Sequence, residues 1–599
     1  MWLHPSKIFS PMILLIAYLL SCQDTAAARS KLTGLPSQRS RRQTGTPAPV
    51  DCRLGPWSGW TECFSCEGKK HRYRTLLQPA KFGGNICIGH LWDESACQPT
   101  GTCAVSQNCG ADFRCEETGR CIQRHLVCNG EPDCRDQSDE ANCEDVERYC
   151  DDLDPVPGIE KAAQGYNILT REGAQIVYDP TYYGGQCESV YNGEWRELKY
   201  DAACERLYYG DDEKYYRKPY NVHFYQFLAH ADSGLSSEYY DNSKDLLNAL
   251  KKDSSWGRGF TFGIGPAAYP LPVTVDIGFH LSKGKGTLKN FTQYEDKNVG
   301  FIRAVTKIQT ARFKMRRNDI VLHEDMLQSL MELGDQYNYG LYARFINEYG
   351  THFVTSGTMG GIFEYILVVN KDEMRKRDVT SETLSKCFGA SIGLSYSHPE
   401  ADVTIGGQAS YEKCSKTGDQ ATVSGMHKSF IEDIIPRVQG GDTASVARFM
   451  ENWDAVASRY WGRSLKLNPT VIDLELQPID ELLRRTTLAN IETKRKNLKR
   501  ALDEYLMEFN TCRCGPCQNN GEPVLIGSSC VCKCQTGSKG TACENTRRTG
   551  HPIEGVWSCW TPWTLCQSGT RRRSRQCDNP APQNGGAACA GRSVHTETC

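Results

Sequence analysis

The distribution of cysteine constrains this chain more than any other feature. Of its 30 cysteines, only five fall between Glu144 and Phe509, at positions 150, 187, 204, 387 and 414. Apart from Cys22, the others crowd into short flanking stretches, from Cys52 to Cys103, Cys109 to Cys143, Cys512 to Cys543 and Cys559 to Cys599. A middle of that length can bury a substantial core without staples, whereas flanking pieces of that size cannot. Several domains follow, and the cysteines belong to an oxidising compartment. The chain start agrees: Lys7, the apolar run Met12 to Leu20, and Ala26-Ala27-Ala28 read as a secretory signal over residues 1–28. Arg39-Ser40-Arg41-Arg42 offers a processing site closing a propeptide over 29–42. Nothing later approaches the roughly 18 consecutive apolar residues of a spanning helix. A formal charge of -2 argues against a nucleic-acid partner. With Cys22 removed the cysteine count is odd, which suggests one intermolecular bond or a free thiol.

The middle is organised around Tyr342 to Gly361. Tyr342, Phe345, Ile346 and Tyr349 share a helical face, Gly350 breaks the helix, and Thr351-His352-Phe353-Val354-Thr355 enters a strand. Gly360-Gly361 then interrupts that strand, marking a bend or a close backbone approach. His352 alone invites a catalytic or metal reading. No second His, Cys or carboxylate sits at ligand spacing, so a structural His at a helix–strand junction is the reading taken. Tyr342, six residues, then Tyr349-Gly350-Thr351-His352-Phe353 resembles the signature of the membrane attack complex/perforin family. The resemblance implies a perforin-like domain over 145–510. The fold class is then multidomain α+β, with a bent antiparallel sheet and helical clusters at its centre and small disulfide-rich modules on either side. It also implies that Gly360, Gly361, Gly440 and Gly441 are hinge glycines that let the sheet open. A charged helix from Glu492 to Phe509 places Leu498, Leu502, Tyr505 and Phe509 on one face.

Two segments alternate with a period of two. In the first, Phe260, Phe262 and Ile264, then Leu271, Val273, Val275, Ile277, Phe279 and Leu281, face one way. In the second, between Cys387 and Cys414, the apolar positions are Ala390, Ile392, Leu394 and Tyr396, then Val403, Ile405 and Ala409. Runs of about 9–11 residues with one lipid face and one wet face are what membrane-spanning strands need. Half-buried strands of a soluble sheet give the same alternation. The glycine and serine content, and the position on either side of the signature, favour two membrane hairpins. A Cys387–Cys414 bond would place a turn at His398 to Ala401. The family resemblance implies that both segments are helical clusters before insertion, with Ser243 to Leu250 the best helix in the first. Asn290-Phe291-Thr292 is a sequon inside that segment, where a glycan would oppose insertion. Gly389-Ala390-Ser391-Ile392-Gly393 matches a nucleophile elbow by chance, since its residues alternate as a strand.

Each flank resembles a known module. Residues 51–104, opened by Trp57-Ser58-Gly59-Trp60 and followed by Arg72, Arg74 and Lys81, resemble a thrombospondin type 1 repeat, where tryptophans layer between cations. Residues 553–599, with Trp557, Trp560, Trp563 and Arg571, Arg572, Arg573 and Arg575, resemble a second. The resemblance implies C-mannosylation at Trp57, Trp60, Trp557, Trp560 and Trp563. Residues 107–144, with Cys128-Asn129-Gly130-Glu131-Pro132-Asp133-Cys134 and Ser138-Asp139-Glu140, resemble a low-density-lipoprotein receptor class A repeat. A short loop crowded with oxygen donors suits a hard cation such as calcium in a structural role. The family pattern maps side-chain ligands onto Asn129, Asp133, Asp139 and Glu140, and backbone oxygens onto Leu126 and Glu131. Residues 511–544, with Cys-x-Cys-x-Cys at 530–534, resemble an EGF-like module. Together the resemblances imply the pairs Cys52–Cys87, Cys63–Cys97, Cys66–Cys103, Cys514–Cys530, Cys517–Cys532, Cys534–Cys543, Cys566–Cys599, Cys577–Cys589 and Cys512–Cys559.

With those pairs, the six cysteines of residues 109–143, Cys387–Cys414 and Cys150–Cys187 set aside, Cys204 remains, in a charged and aromatic stretch from Tyr200 to Tyr209 that suits an interface. The module order resembles the terminal complement components of the same family. That implies a disulfide from Cys204 to a small lipocalin-like gamma chain, the other reading being a free thiol. It further implies a beta chain, a complex of components five to seven, component nine and a target lipid bilayer as partners. The implied function is that of a non-enzymatic, pore-forming subunit of the membrane attack complex, secreted into plasma and active at the target membrane. A self-assembling perforin-like pore former and an adhesive extracellular protein are the alternatives.

Overall fold

A computed structural model describes residues 45–599 apart from 65–67, 101–108, 145–149, 151, 170–171, 193–196, 202–205, 211–213, 242–245, 247–296, 377–430, 446–460, 463, 487, 489–490, 535–537 and 547–549. The centre is a seven-stranded sheet. Its strands are β1 (Gln164–Asn167), β2 (Glu172–Ile176), β3 (Val222–Tyr240), β4 (Val299–Met315), β5 (His352–Asn370), β6 (Ile431–Gln439) and β7 (Thr470–Pro478). Neighbouring strands run antiparallel throughout. Three helices pack below: α1 (Glu324–Glu332), α2 (Tyr339–Tyr349) and α3 (Ile491–Glu508).

β5 is the axis. One of its edges pairs with β1 at His352 and Phe353 and then with β4 from Ser356 to Asn370. The other pairs with β7 from His352 to Gly360 and with β6 from Ile362 to Val369. The expectation that Gly360-Gly361 interrupts the strand is corrected here. β5 runs unbroken for 19 residues, roughly 60 Å of extended chain. What changes at the glycine pair is the partner strand. A line of irregularities crosses the sheet at the same level: between Phe227 and Asp232 in β3, between Gln309 and Ala311 in β4, and at the β7-to-β6 changeover on β5. Extra residues in a ladder bend and twist a sheet, so the bend is built by three strands together.

The main core lies below that line. It is formed by Tyr178, Phe313, Met326, Leu330, Phe345, Ile346, Phe353, Leu498 and Leu502 with their neighbours. α3 buries Leu498, Ala501, Leu502 and Tyr505, the face expected from its spacing, and Phe509 packs against its edge.

The flanking modules are thin antiparallel pieces whose cores are side-chain stacks and disulfides. In the first thrombospondin-like module, Arg74, Trp57, Arg72 and Trp60 alternate at 4.4–4.6 Å. Lys70 closes that stack at 5.2 Å, while Lys81 faces the EGF-like module and donates to the Gly515 carbonyl at 3.2 Å. In the last module Arg575, Arg573 and Arg571 interleave with Trp557, Trp560 and Trp563. The described disulfides include Cys52–Cys87, Cys63–Cys97, Cys150–Cys187, Cys512–Cys559, Cys514–Cys530, Cys517–Cys532, Cys534–Cys543, Cys566–Cys599 and Cys577–Cys589. Cys66–Cys103 and Cys387–Cys414 lie outside the described residues.

α3 is where the first and last modules are tied down. The Glu508 carboxylate accepts from the Tyr73 hydroxyl at 2.6 Å, from the Leu76 amide at 2.7 Å and from the Tyr339 hydroxyl. On the same helix Lys499 pairs with Glu597 at 3.0 Å and Asp503 with Arg571 at 3.6 Å.

Candidate functional site: a glycine crossing in the bent sheet and an acidic loop

The signature residues form a junction. Asn338 caps α2 by accepting from the Leu341 amide, and Gly350 ends it at a φ of +89°, where a side chain would strike the Tyr166 backbone. Thr351 Oγ1 donates to the Tyr166 carbonyl at 3.1 Å and accepts from the Ile168 amide at 3.0 Å. The Tyr342 hydroxyl donates to the Gly334 carbonyl at 3.0 Å, and the Tyr349 and Ser329 hydroxyls meet at 2.9 Å. Phe353 is fully buried against Tyr178, ring centroids 5.9 Å apart. His352 is buried with Nδ1 2.9 Å from Thr351 Oγ1, and burial pushes its imidazole down to about 3. A neutral, enclosed imidazole with a hydroxyl neighbour serves packing, and β1, β5 and β7 converge on it.

The four glycines meet at the bend. A Cβ on Gly360 would sit 1.8 Å from the Ile308 carbonyl oxygen of β4. One on Gly440 would lie 2.7 Å from the Gly360 oxygen, and one on Gly361 or Gly441 would strike the ring of Trp461 within 2.8 Å. Gly440 and Gly441 adopt φ of +78° and +89°, a left-handed turn that glycine accepts without strain. Trp461 is fully buried and donates from Nε1 to the Gly440 carbonyl at 2.9 Å; Leu465 is fully buried beside it. Sequence spacing located both glycine pairs but carried no sign of Trp461, which is remote from Gly360 along the chain.

At the far end of the sheet four strand ends lie side by side. Tyr240 of β3 pairs with Phe301 of β4, Val299 of β4 with Asn370 of β5, and Val369 of β5 with Ile431 of β6. The chain therefore leaves and re-enters the sheet twice at one end, between 240 and 299 and between 370 and 431. The expected membrane positions (Phe260, Phe262, Ile264, Val273, Val275, Ile277 and Phe279; Ala390, Ile392, Leu394, Tyr396, Val403 and Ile405) fall in those two excursions and lie outside the described residues. So do Asn290, Ser391 and the interchain-disulfide candidate Cys204, which falls between the paired strands Glu197–Asp201 and Arg206–Gly210. Of Ser243 to Leu250 only Leu246 is described, helical and buried. Among the described residues no helix is long and apolar enough to cross a membrane.

The loop from Leu126 to Glu140 gathers its oxygen donors unevenly. Asn129 Nδ2 donates to Asp133 Oδ2 at 2.9 Å, and Asp139 Oδ2 accepts from the Asp133 amide at 2.7 Å. Glu140 is turned to the amides of Asn129 and Gly130, at 2.9 and 3.0 Å. Burial, with Asp139 and Glu131 nearby, pushes the Asp133 carboxyl up to about 6. Among the described residues no three His, Cys, Asp or Glu side chains close into a finished metal cluster. Asp139 is nonetheless fully buried, and its Oδ1 has no hydrogen-bond donor. An orphaned carboxylate oxygen among oxygen donors fits a hard cation.

Residues 156–515 match the model of the MAC/Perforin domain. The chain belongs to the MAC/Perforin family. Residues 107–143 match the low-density lipoprotein receptor domain class A, and residues 55–109 and 555–599 the thrombospondin type 1 domain. Residues 517–545 match the EGF-like domain shared by the alpha and beta chains of complement component eight and by complement component six. Within the family the chain is 51% identical to the complement component C8 alpha chain of Oryctolagus cuniculus, over 97% of this chain and 98% of that one. It is 33% identical to the complement component C8 beta chain of Mus musculus, over 94% and 92%. Against complement component C6 of Bos taurus it is 31% identical, over 94% of this chain and 58% of that protein.

Proposed function

We propose that the protein is the alpha-chain counterpart within complement component eight, a pore-forming subunit of the membrane attack complex that acts without catalysis. The observation that carries this reading is the placement of the four strand ends. Each alternating segment joins two antiparallel neighbours at the same end of the sheet, β3 to β4 and β5 to β6. If both segments extend, they lengthen four adjacent strands into two amphipathic hairpins in register with an existing ladder. A hairpin in lipid leaves its outer backbone groups unpaired, so insertion needs neighbouring subunits on both sides. The glycine crossing is where the sheet unbends to let the hairpins out.

The partners follow from the same reading: the gamma chain of component eight through a disulfide at Cys204, its beta chain, the complex of components five to seven, component nine and the target lipid bilayer. The protein is secreted and reaches the bilayer only on assembly. Calcium is held by the side chains of Asn129, Asp133, Asp139 and Glu140 and the carbonyls of Leu126 and Glu131, and supplies charge compensation and loop rigidity. Trp57, Trp60, Trp557, Trp560 and Trp563 are the proposed C-mannosylation positions.

The test is a cysteine scan over 273–279 carrying an environment-sensitive fluorophore, read on liposomes before and after assembly with the other components. Emission that alternates with period two, apolar at Val273, Val275, Ile277 and Phe279 and aqueous at Thr274, Asp276 and Gly278, is the expected result. A helical period of 3.6, or no change on assembly, would sink the hairpin mechanism.

A further inference from the structure

The class A module does not dangle from the perforin fold. Its cation loop is the face that docks. Glu131, whose carbonyl is a proposed ligand, sends its carboxylate to Arg217 in a two-pronged pair, one contact at 2.7 Å. Arg217 is buried, lies over the Tyr183 ring at 3.9 Å and donates to the Gln186 carbonyl at 3.0 Å. The main chain of Asp133 faces the same way. Its carbonyl accepts from Arg120, a buried guanidinium that also reaches Asp179 at 2.8 Å and Glu324 at 3.0 Å. Leu126, another proposed carbonyl ligand, packs so close to the perforin loop that a Cβ on Gly185 would lie 2.9 Å from it. Tyr182 of that loop completes the small core of Cys115, Ile122, Leu126 and Cys134.

Glu131 and Leu126 therefore have one end toward the cation and one toward the perforin fold, and Asp133 reaches that fold through Arg120 of its own module. We infer that cation binding and docking are coupled through Glu131 and Arg217, so that occupancy of the loop sets how firmly the module grips residues 179–187 and 215–217. The latter run directly into β3 through Asn221, which donates to the Asp179 and Val321 carbonyls. The inference rests on the calcium reading given above. Its sign follows from the local charge. The loop carries five carboxylates (Glu131, Asp133, Asp136, Asp139 and Glu140) and the perforin side three (Asp179, Glu324 and Asp325) against Arg120, Arg135 and Arg217, with Glu131 paired to Arg217, Asp179 and Glu324 to Arg120, and Asp325 to Arg135. A divalent cation leaves that contact net negative, so the arginines stay held while the loop gains order.

Coupling between sites is reciprocal, which supplies a test with opposed signs. Arg217 is no ligand. Removing its positive charge would by simple Coulomb attraction tighten calcium binding, whereas loss of the clamp weakens it. Calorimetric Ca²⁺ titration of the full chain is expected to show binding about fivefold weaker or more in Arg217→Met than in wild type. Hydrogen exchange at 215–217 is expected to rise about tenfold in wild type when EGTA replaces calcium. Should Arg217→Met not fold, Glu131→Gln keeps every proposed ligand, including its own carbonyl. In it the exchange at 215–217 is expected to be raised already with calcium present. Unchanged or tighter calcium binding in Arg217→Met, or exchange indifferent to EGTA in a wild type that binds calcium, overturns the coupling alone. Absence of binding heat in wild type at millimolar Ca²⁺ overturns the calcium reading and the coupling with it.

Discussion

The Trp461 indole donates to the Gly440 carbonyl at 2.9 Å, and its ring fills the space that a side chain on Gly361 would need. Gly361→Ala should therefore cost about 1–3 kcal/mol by overpacking, and Trp461→Ala about 3–5 kcal/mol by loss of a buried ring. Gly59→Ala, in the first thrombospondin-like module, meets nothing within 4 Å and should stay within about 0.5 kcal/mol. Urea unfolding midpoints of the three variants check the order. A neutral Gly361→Ala would mean that the crossing tolerates a side chain and is not closed by Trp461.

Glu508 is shared by Tyr73, Tyr339 and the Leu76 amide, which belong to the first module and to α2. Glu508→Ala strands three donors at once, two on buried residues and one on half-buried Tyr339. The expected loss is about 3 kcal/mol, less than three separate bonds because the donors share one acceptor. Limited proteolysis should then cut first within residues 69–96, where the module rests on α2. Wild-type cleavage order would show that the module is held elsewhere.

His352 fixes a pH dependence. Its imidazole titrates near 6.5 when unfolded and is pushed down to about 3 by burial in the fold. Between those values the unfolded chain binds a proton that the folded chain does not, so stability is complete above pH 6.5 and falls as the pH drops toward 3. At pH 5 the loss is about 2 kcal/mol. His352→Asn should flatten the slope of unfolding free energy between pH 6.5 and 5; an unchanged slope would place the acid sensitivity in other groups.

Cys204→Ala should release a small partner without reductant. Non-reducing against reducing electrophoresis of the native protein, beside the recombinant variant, reads this directly. A band that shifts on reduction in wild type and not in the variant is the expected pattern. A single unlinked chain in both would remove Cys204 from the interface.

What the sequence disclosed follows from range. α2, its stop at Gly350 and the buried face of α3 rest on contacts within a few residues, and spacing alone located them. The cysteine modules were legible through their resemblance to known modules, since their disulfides close separations of 9 to 47 residues. β5 was misjudged at Gly360-Gly361 because glycine in a strand signals a break or a close approach equally well, and only the neighbouring Ile308 carbonyl decides between them. Trp461 at the crossing, the Arg120 triad and the Glu131–Arg217 pair were invisible. Their partners lie 59 to 204 residues apart in the first two ion pairs and 86 in the last, and nothing local marks an arginine as buried.

The order of the strands has one further consequence. Above the glycine crossing the ladder runs β3, β4, β5, β6, so its two outer strands differ in sequence and length. Unlike edges cannot satisfy each other across a two-fold axis. In the proposed assembly, growth by edge pairing would be head-to-tail, with one face for the subunit already present and another for the next arrival. An assembly built that way would carry polarity but no instruction to stop, and the subunits that follow would decide where the arc closes.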